Sequence, residues 1–177
     1  RLVEVAGSDY TLGVLVQANF GRRDSLLVAG VPVGKHLRDD RVFSAAIPEV
    51  EETGSIIIVI GTDAPLLPHQ LKRLTRRAAL GLSRTGSLAG NGSGDIFVAF
   101  STANDQANQA TSGVAVDTIS NEDINPLFEA TVQATEEAII NALIAGRTMT
   151  GNRGNVVQGI DHAALQDVMR QYNRLEN

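Results

Sequence analysis

The chain has 177 residues, a formal net charge of −5 and no cysteine. That length is one domain's worth and can bury a sizeable core. The acidic balance argues against a general nucleic-acid binder, and the missing thiols exclude disulfides, thiolate metal sites and a cysteine nucleophile. No stretch reaches the length of a membrane span, so no membrane partner is expected. An absence of cysteine fits any compartment; the cytoplasm is favoured and the periplasm left open. The chain opens at Arg1, without Met, in what reads as the middle of structure. It is therefore expected to be a fragment of a longer chain.

Thr11 to Phe20 alternates apolar with small or polar residues, which predicts a strand. Gly21-Arg22-Arg23-Asp24 reads as a turn and Ser25 to Val33 as a second strand, with the two strands forming a hairpin. Pro32 pushes that second strand toward an edge or an early end. Gly34 to Glu52 is polar, carries Pro48, and reads as a long exposed loop. Ser55 then leads five consecutive β-branched residues, Ile56 to Ile60. Such a run predicts a central strand buried on both faces. Asp63-Ala64-Pro65 ends it, and a helix begins near Pro65 or Pro68 with Leu71, Leu74, Ala78 and Leu82 on one face. Lys72, Arg73, Arg76 and Arg77 lie off that stripe and read as a solvated face, because no aromatic residue interleaves with them.

Gly86 to Asp95 is glycine-rich and runs from a helix into a strand at Ile96 to Ser101. A phosphate loop has the opposite order, strand to loop to helix, so a nucleotide site is set aside. Thr102 to Thr111 reads as loop. Asn125-Pro126 opens a helix to about Ala145, which Gly146 ends. Met149 to Gly159 reads as a glycine-spaced loop, and Asp161 caps a last helix whose inner face is Leu165, Val168, Met169 and Tyr172. No internal repeat is present.

The chemistry is decided by what is missing. The histidines are His36, His69 and His162, and none sits in a nucleophile-elbow context, since no Gly-x-Ser-x-Gly occurs. No His-x-x-x-His or carboxylate cluster has metal-ligand spacing, so no metal and no cofactor are expected. Gly54-Ser55 offers a route that needs none of these. The Ser55 hydroxyl can attack the Gly54 carbonyl, shift the acyl group from N to O, and leave an ester for water to split. Ser55 would then be a new N-terminus carrying both nucleophile and amine. A free α-amino group has a pKa of about 7.7–8.0, so roughly a tenth or more is neutral at pH 7 and can act as base. Asn19 is a candidate oxyanion donor, and Ser93 and Asp95 are candidates to hold the amine and hydroxyl. The same residues also read plainly: Gly54-Ser55 as a turn before a strand, Asn19 as a turn residue, Ser93 and Asp95 as loop hydrogen-bonders.

Several segments resemble the L-aminopeptidase/D-amidase-esterase family of self-processing serine hydrolases, peptidase family S58, which includes the bacterial β-aminopeptidases. They are Gly13 to Gly21 (GVLVQANFG), Gly54-Ser55 with its strand, and Thr62 to Leu71 (TDAPLLPHQL). Gly92 to Asp95 and Thr148 to Gly151 extend the match, in the family's order and approximate spacing. The resemblance implies an α+β fold, the αββα sandwich of N-terminal-nucleophile-like hydrolases, with residues 1–177 as the C-terminal portion of a single self-processing hydrolase domain. It implies self-cleavage between Gly54 and Ser55, giving segments 1–54 and 55–177. It places the nucleophile at Ser55, the oxyanion amide at Asn19, and the supporting hydroxyl and acid at Ser93 and Asp95, the last one methylene shorter than the Glu of relatives. The implied activity is release of small N-terminal residues (Ala, Gly or β-Ala) from peptides, amides or esters. The implied partners are a small peptide or amide substrate, an N-terminal portion of the same protein and further copies of it. That portion is expected to supply a tyrosine and an acid near the substrate's amine, and Tyr10 is not taken to be that tyrosine. Competing readings are a related amide hydrolase or acyltransferase, and an unprocessed, inactive relative serving as an assembly module.

Overall fold

A computed structural model describes residues 1–37, 54–109, 112–154 and 156–175. Its main sheet has four strands in the order β1 (Leu2–Val5), β2 (Ser8–Asn19), β3 (Ser55–Thr62) and β4 (Ile96–Ser101). β1 and β2 form an antiparallel hairpin turning at Ala6-Gly7, whose φ angles of 50° and 80° are those of a primed turn that suits strand twist. β2 pairs antiparallel with β3 along its length, from Leu12 opposite Thr62 to Asn19 opposite Ser55. β3 and β4 are parallel, so the chain must cross over between them. Helix α2 makes that crossing.

The partner of β2 in a hairpin is thus β1, not Ser25 to Val33. That segment carries a 3-10 turn at Arg23–Ser25, one isolated bridge between Val28 and Val31, and a short helix α1 (Val33–His36). Ala29 and Gly30 both have positive φ, which folds the valines back on each other before a strand can extend. The loop expected over Gly34 to Glu52 opens inside α1, and its greater part lies outside the described residues.

Helix α2 (Pro68–Ser83) starts at the second of the two prolines, and helix α3 runs Asn125–Ala145, with Gly146 as its C-cap. Both pack on one face of the sheet, where Leu12, Ile56, Ile58 and Ile60 meet Leu74, Ala78, Leu82, Leu127 and Ile139. The basic cluster of α2 divides. Arg73 and Arg77 stack on the Phe128 ring at 4.9 and 3.8 Å, while Lys72 and Arg76 are exposed. Tyr10 packs against the core from β2.

The other face of the sheet is open. Leu15 is 71% exposed, Ile57 39%, Val98 46% and Phe100 48%. Burial along β3 therefore alternates, contrary to a strand covered on both sides. A smaller cluster joins Val28, Val31, Val33 and Leu37 to Leu165, Val168 and Met169 of helix α4 (His162–Gln171). Asp161 caps α4 by accepting from the Ala163 and Ala164 N–H groups. Tyr172, expected on that inner face, is 43% exposed and meets His36 instead. Met149 to Gly159 contains a small hairpin, β5 (Met149–Thr150) and β6 (Val156–Val157), rather than loop alone. Among the described residues no helix is long and apolar enough to cross a membrane.

Candidate active site

The start of β3, the end of β2 and the loop before β4 meet at one end of the sheet. Asn19 and Ser55 are directly opposed there, so both side chains project on the open face. The Asn19 amide has no hydrogen-bond partner among the described residues and is exposed. An unpartnered carboxamide beside a hydroxyl can serve as a donor to a third group.

The glycine loop comes to Ser55 from the other side. The Gly94 N–H donates to Ser55 Oγ at 2.9 Å. The Ser93 hydroxyl donates to Asp95 Oδ1 at 2.6 Å, and the same oxygen accepts the Ile56 N–H at 3.0 Å. The carboxylate is thereby pinned beside the backbone of the residue after Ser55. The loop can do this because β3 and β4 are parallel: both begin at this end, and the residues just before β4 lie next to the first residues of β3.

Gly54 has a steric reason. A Cβ there would collide with the Asn19 carbonyl oxygen and stand 2.8 Å from Phe20 Cα. The residue before Ser55 is packed on the backbone beside Asn19, and only glycine fits that approach. Ser55, Asn19, Ser93 and Asp95 are thus gathered within one end of the sheet. Sequence reasoning missed the Gly94 N–H, the one group in the loop that touches the Ser55 hydroxyl. The only signal for it was a glycine between the two flagged residues, and backbone donors leave no mark in a sequence.

The histidines lie elsewhere. His36 bonds Tyr172 at 3.0 Å, His162 bonds the Ile144 carbonyl at 2.9 Å, and His69 is exposed on the first turn of α2. Among the described residues no three His, Asp or Glu side chains could hold a metal ion together.

The family model described as peptidase family S58 matches residues 1–157. The chain belongs to that family. It is 48% identical to beta-peptidyl aminopeptidase BapA of Sphingosinicella microcystinivorans, over 99% of this chain and 47% of the relative. It is 43% identical to the enzyme of the same name from Sphingosinicella xenopeptidilytica, over 96% of this chain and 44% of the relative. Among solved structures it is similar to the L-aminopeptidase D-Ala-esterase/amidase of Ochrobactrum anthropi, described as a prototype for the serine aminopeptidases and a variant of the Ntn hydrolase fold. That match has a TM-score of 0.87 at 47% identity, over 99% of this chain and 47% of the other. The S58 chain described here therefore spans a little under half the length of the relatives it matches. Its fold is of the Ntn hydrolase kind, α+β, with the four-stranded sheet making a β layer and the helices α2 and α3 an α layer on one of its faces.

Proposed function

We propose that the whole protein is a self-processing serine aminopeptidase or amidase, and that Ser55 is both the residue exposed by cleavage and the nucleophile. The observation that carries this is the placement of Ser55. It is the first residue of a central strand, behind a glycine packed on Asn19, with its Oγ held by the Gly94 N–H. That arrangement suits the N-to-O shift: Oγ lies next to its own preceding carbonyl, and Asn19 is opposite as a donor for the oxyanion that forms. Water then splits the ester, and Gly54 keeps the new carboxylate while Ser55 gains an amine.

In the processed enzyme the Ser55 amine takes the hydroxyl proton as Oγ attacks the substrate carbonyl. Asn19, and the Gly94 N–H once Oγ has moved to the acyl carbon, stabilise the negative oxygen. The proton passes to the leaving amine, and water clears the acyl-enzyme by the same steps in reverse. Asp95 holds the Ser55 ammonium near the hydroxyl, and Ser93 fixes the orientation of Asp95. The open apolar sheet face receives the second β layer of the sandwich, supplied by the N-terminal portion of the protein, and homo-oligomers are the proposed working form. The relatives' names support small amino-terminal residues, including β-amino acids, as the acyl part.

Intact-mass measurement on purified full-length protein tests the reading directly. Two fragments divided between Gly54 and Ser55 are expected, together with hydrolysis of Ala-p-nitroanilide and none of its N-acetyl derivative. An intact chain after long incubation would favour an inactive assembly module. Equal rates on the two substrates would replace the aminopeptidase with a general amide hydrolase.

A further inference from the structure

The glycine loop that meets Ser55 carries the chain's one Asn-Gly pair, Asn91-Gly92. We infer that Asn91 is a site of spontaneous deamidation, and that the isoaspartate formed there disables the Ser55 site by lengthening the loop backbone. The modification is a property of the loop alone; its effect on turnover rests on the aminopeptidase reading.

Asn91 and Gly92 are the central residues of a turn that the Ser93 N–H closes by donating to the Gly90 carbonyl at 2.9 Å. Both are exposed, and neither has a positive φ. The turn therefore does not need glycine for its handedness. What Gly92 supplies is a backbone nitrogen with no side chain beside it. Neither the Asn91 carboxamide nor the Gly92 N–H has a hydrogen-bond partner among the described residues. A turn closed by one bond and open to water can rotate until that nitrogen faces the carboxamide carbon.

The reaction needs only water. The Gly92 nitrogen gives its proton to solvent and attacks Asn91 Cγ. The bond from Cγ to the carboxamide nitrogen breaks, and ammonia leaves with a proton, so a succinimide ring joins the two residues. Water then opens the ring at either carbonyl. Opening at Cγ gives aspartate and restores the ordinary backbone. Opening at the main-chain carbonyl gives isoaspartate, and the backbone now runs through Cβ and Cγ, one methylene longer.

That methylene enters just ahead of the loop's contacts with the site. The Ser93 hydroxyl donates to Asp95, Asp95 accepts the Ile56 N–H, and the Gly94 N–H donates to Ser55 Oγ at 2.9 Å. Asp95 is tied to β3 and the next residue enters β4, so the far side of the loop cannot yield. The extra length falls on residues 91–94, where one N–H at Ser55 is the contact to lose. Aspartate at the same position adds a charge but keeps the backbone length and that contact. The competing reading is an ordinary surface turn, in which Asn91 ages without changing turnover.

The test holds full-length, processed enzyme in mildly alkaline buffer. Asn91 is followed by peptide mapping and by enzymatic methylation of isoaspartate, and activity by Ala-p-nitroanilide. The Asn91 peptide should gain the mass that exchanges NH2 for OH. Isoaspartyl molecules should turn over about 100-fold more slowly, the low end of the cost of one lost oxyanion donor, so activity should fall in step with their fraction. Asn91→Gln and Gly92→Ala should begin with wild-type turnover and keep it: Gln must close a larger ring, and the Ala Cβ crowds the attacking nitrogen. Fresh Asn91→Asp should also keep its turnover. The inference is overturned by an Asn91 that stays intact, by activity that does not follow the isoaspartyl fraction, or by a Gly92→Ala enzyme that ages at the wild-type rate. An Asn91→Asp enzyme as slow as the isoaspartyl one overturns it too, because charge and not backbone length would then be the cause. Fresh processed wild type that fails to cleave Ala-p-nitroanilide defeats the aminopeptidase reading and the turnover half of this inference; an intact Asn91 in an active enzyme defeats this inference alone.

Discussion

The two ends of β2, β3 and β4 are built from the same strands and treat their polar groups in opposite ways. At the far end Thr62 Oγ1 donates to the Thr11 carbonyl at 2.8 Å and accepts the Ala64 N–H at 3.1 Å. There Asp63 accepts the Thr11 N–H at 2.7 Å, and the Ser101 hydroxyl donates to the Ala64 carbonyl at 2.6 Å. Every one of these groups is spent on another part of the chain. At the near end the Asn19 amide is unspent among the described residues, and Ser55 Oγ accepts one N–H while its own proton remains available. Saturated polar groups hold a sheet together; unsaturated ones beside a rigid strand terminus are the groups a substrate can meet. The asymmetry predicts that substitutions at the near end change chemistry and leave stability alone, and that those at the far end do the reverse.

The largest effect is expected from Ser55→Ala. No hydroxyl remains to attack Gly54, so the full-length protein should stay one chain and hydrolyse nothing, while it folds as before. Cleavage of the pure Ala variant at the same bond would end the intramolecular mechanism. Asn19→Ala comes next. Loss of one oxyanion donor typically costs about 100- to 1,000-fold in turnover. Because the side chain has no partner to lose among the described residues, its thermal midpoint should match the wild type and KM should move little. A variant that processes and turns over normally would remove Asn19 from the site.

The contrast between the ends also shows what could be read in advance. The near end was legible because its parts are side chains with distinct chemistry: a hydroxyl before a β-branched run, an amide ending a strand, and a Ser and Asp among glycines. What brings them together was not legible. The parallel pairing of β3 with β4 is a long-range event that no local pattern records, and it alone sets Gly94 against Ser55. Ile57 and Ile58 show the same limit at the level of burial. They are neighbours of one type in one strand, yet Ile58 is buried and Ile57 is 39% exposed. An unbroken β-branched run predicts a strand covered on both sides, and the helices of this chain cover one. The false strand at Ser25 to Val33 failed for a different reason: its composition suits a strand, but Ala29-Gly30 turns the backbone too soon. The α2, α3 and α4 helices were clear because proline, glycine and the Asp161 cap mark their ends locally.

The smallest expected effect is at the far end, and it completes the comparison. Thr62→Val keeps the shape of a buried side chain while deleting a hydroxyl that makes two hydrogen bonds. The Thr11 carbonyl loses a donor and the Ala64 N–H, also in a buried environment, loses its acceptor. Leaving such a group unsatisfied costs about 1–3 kcal/mol. The loss should appear as a lower urea midpoint with an unchanged slope, since the surface exposed on unfolding is the same. Turnover of the processed enzyme should be unaltered well below that midpoint, because no atom of Thr62 lies at the Ser55 end of the strand. A Thr62→Val enzyme that kept its midpoint but lost turnover would show that the two ends are coupled through β3, and the division between a holding end and a reacting end would have to be given up.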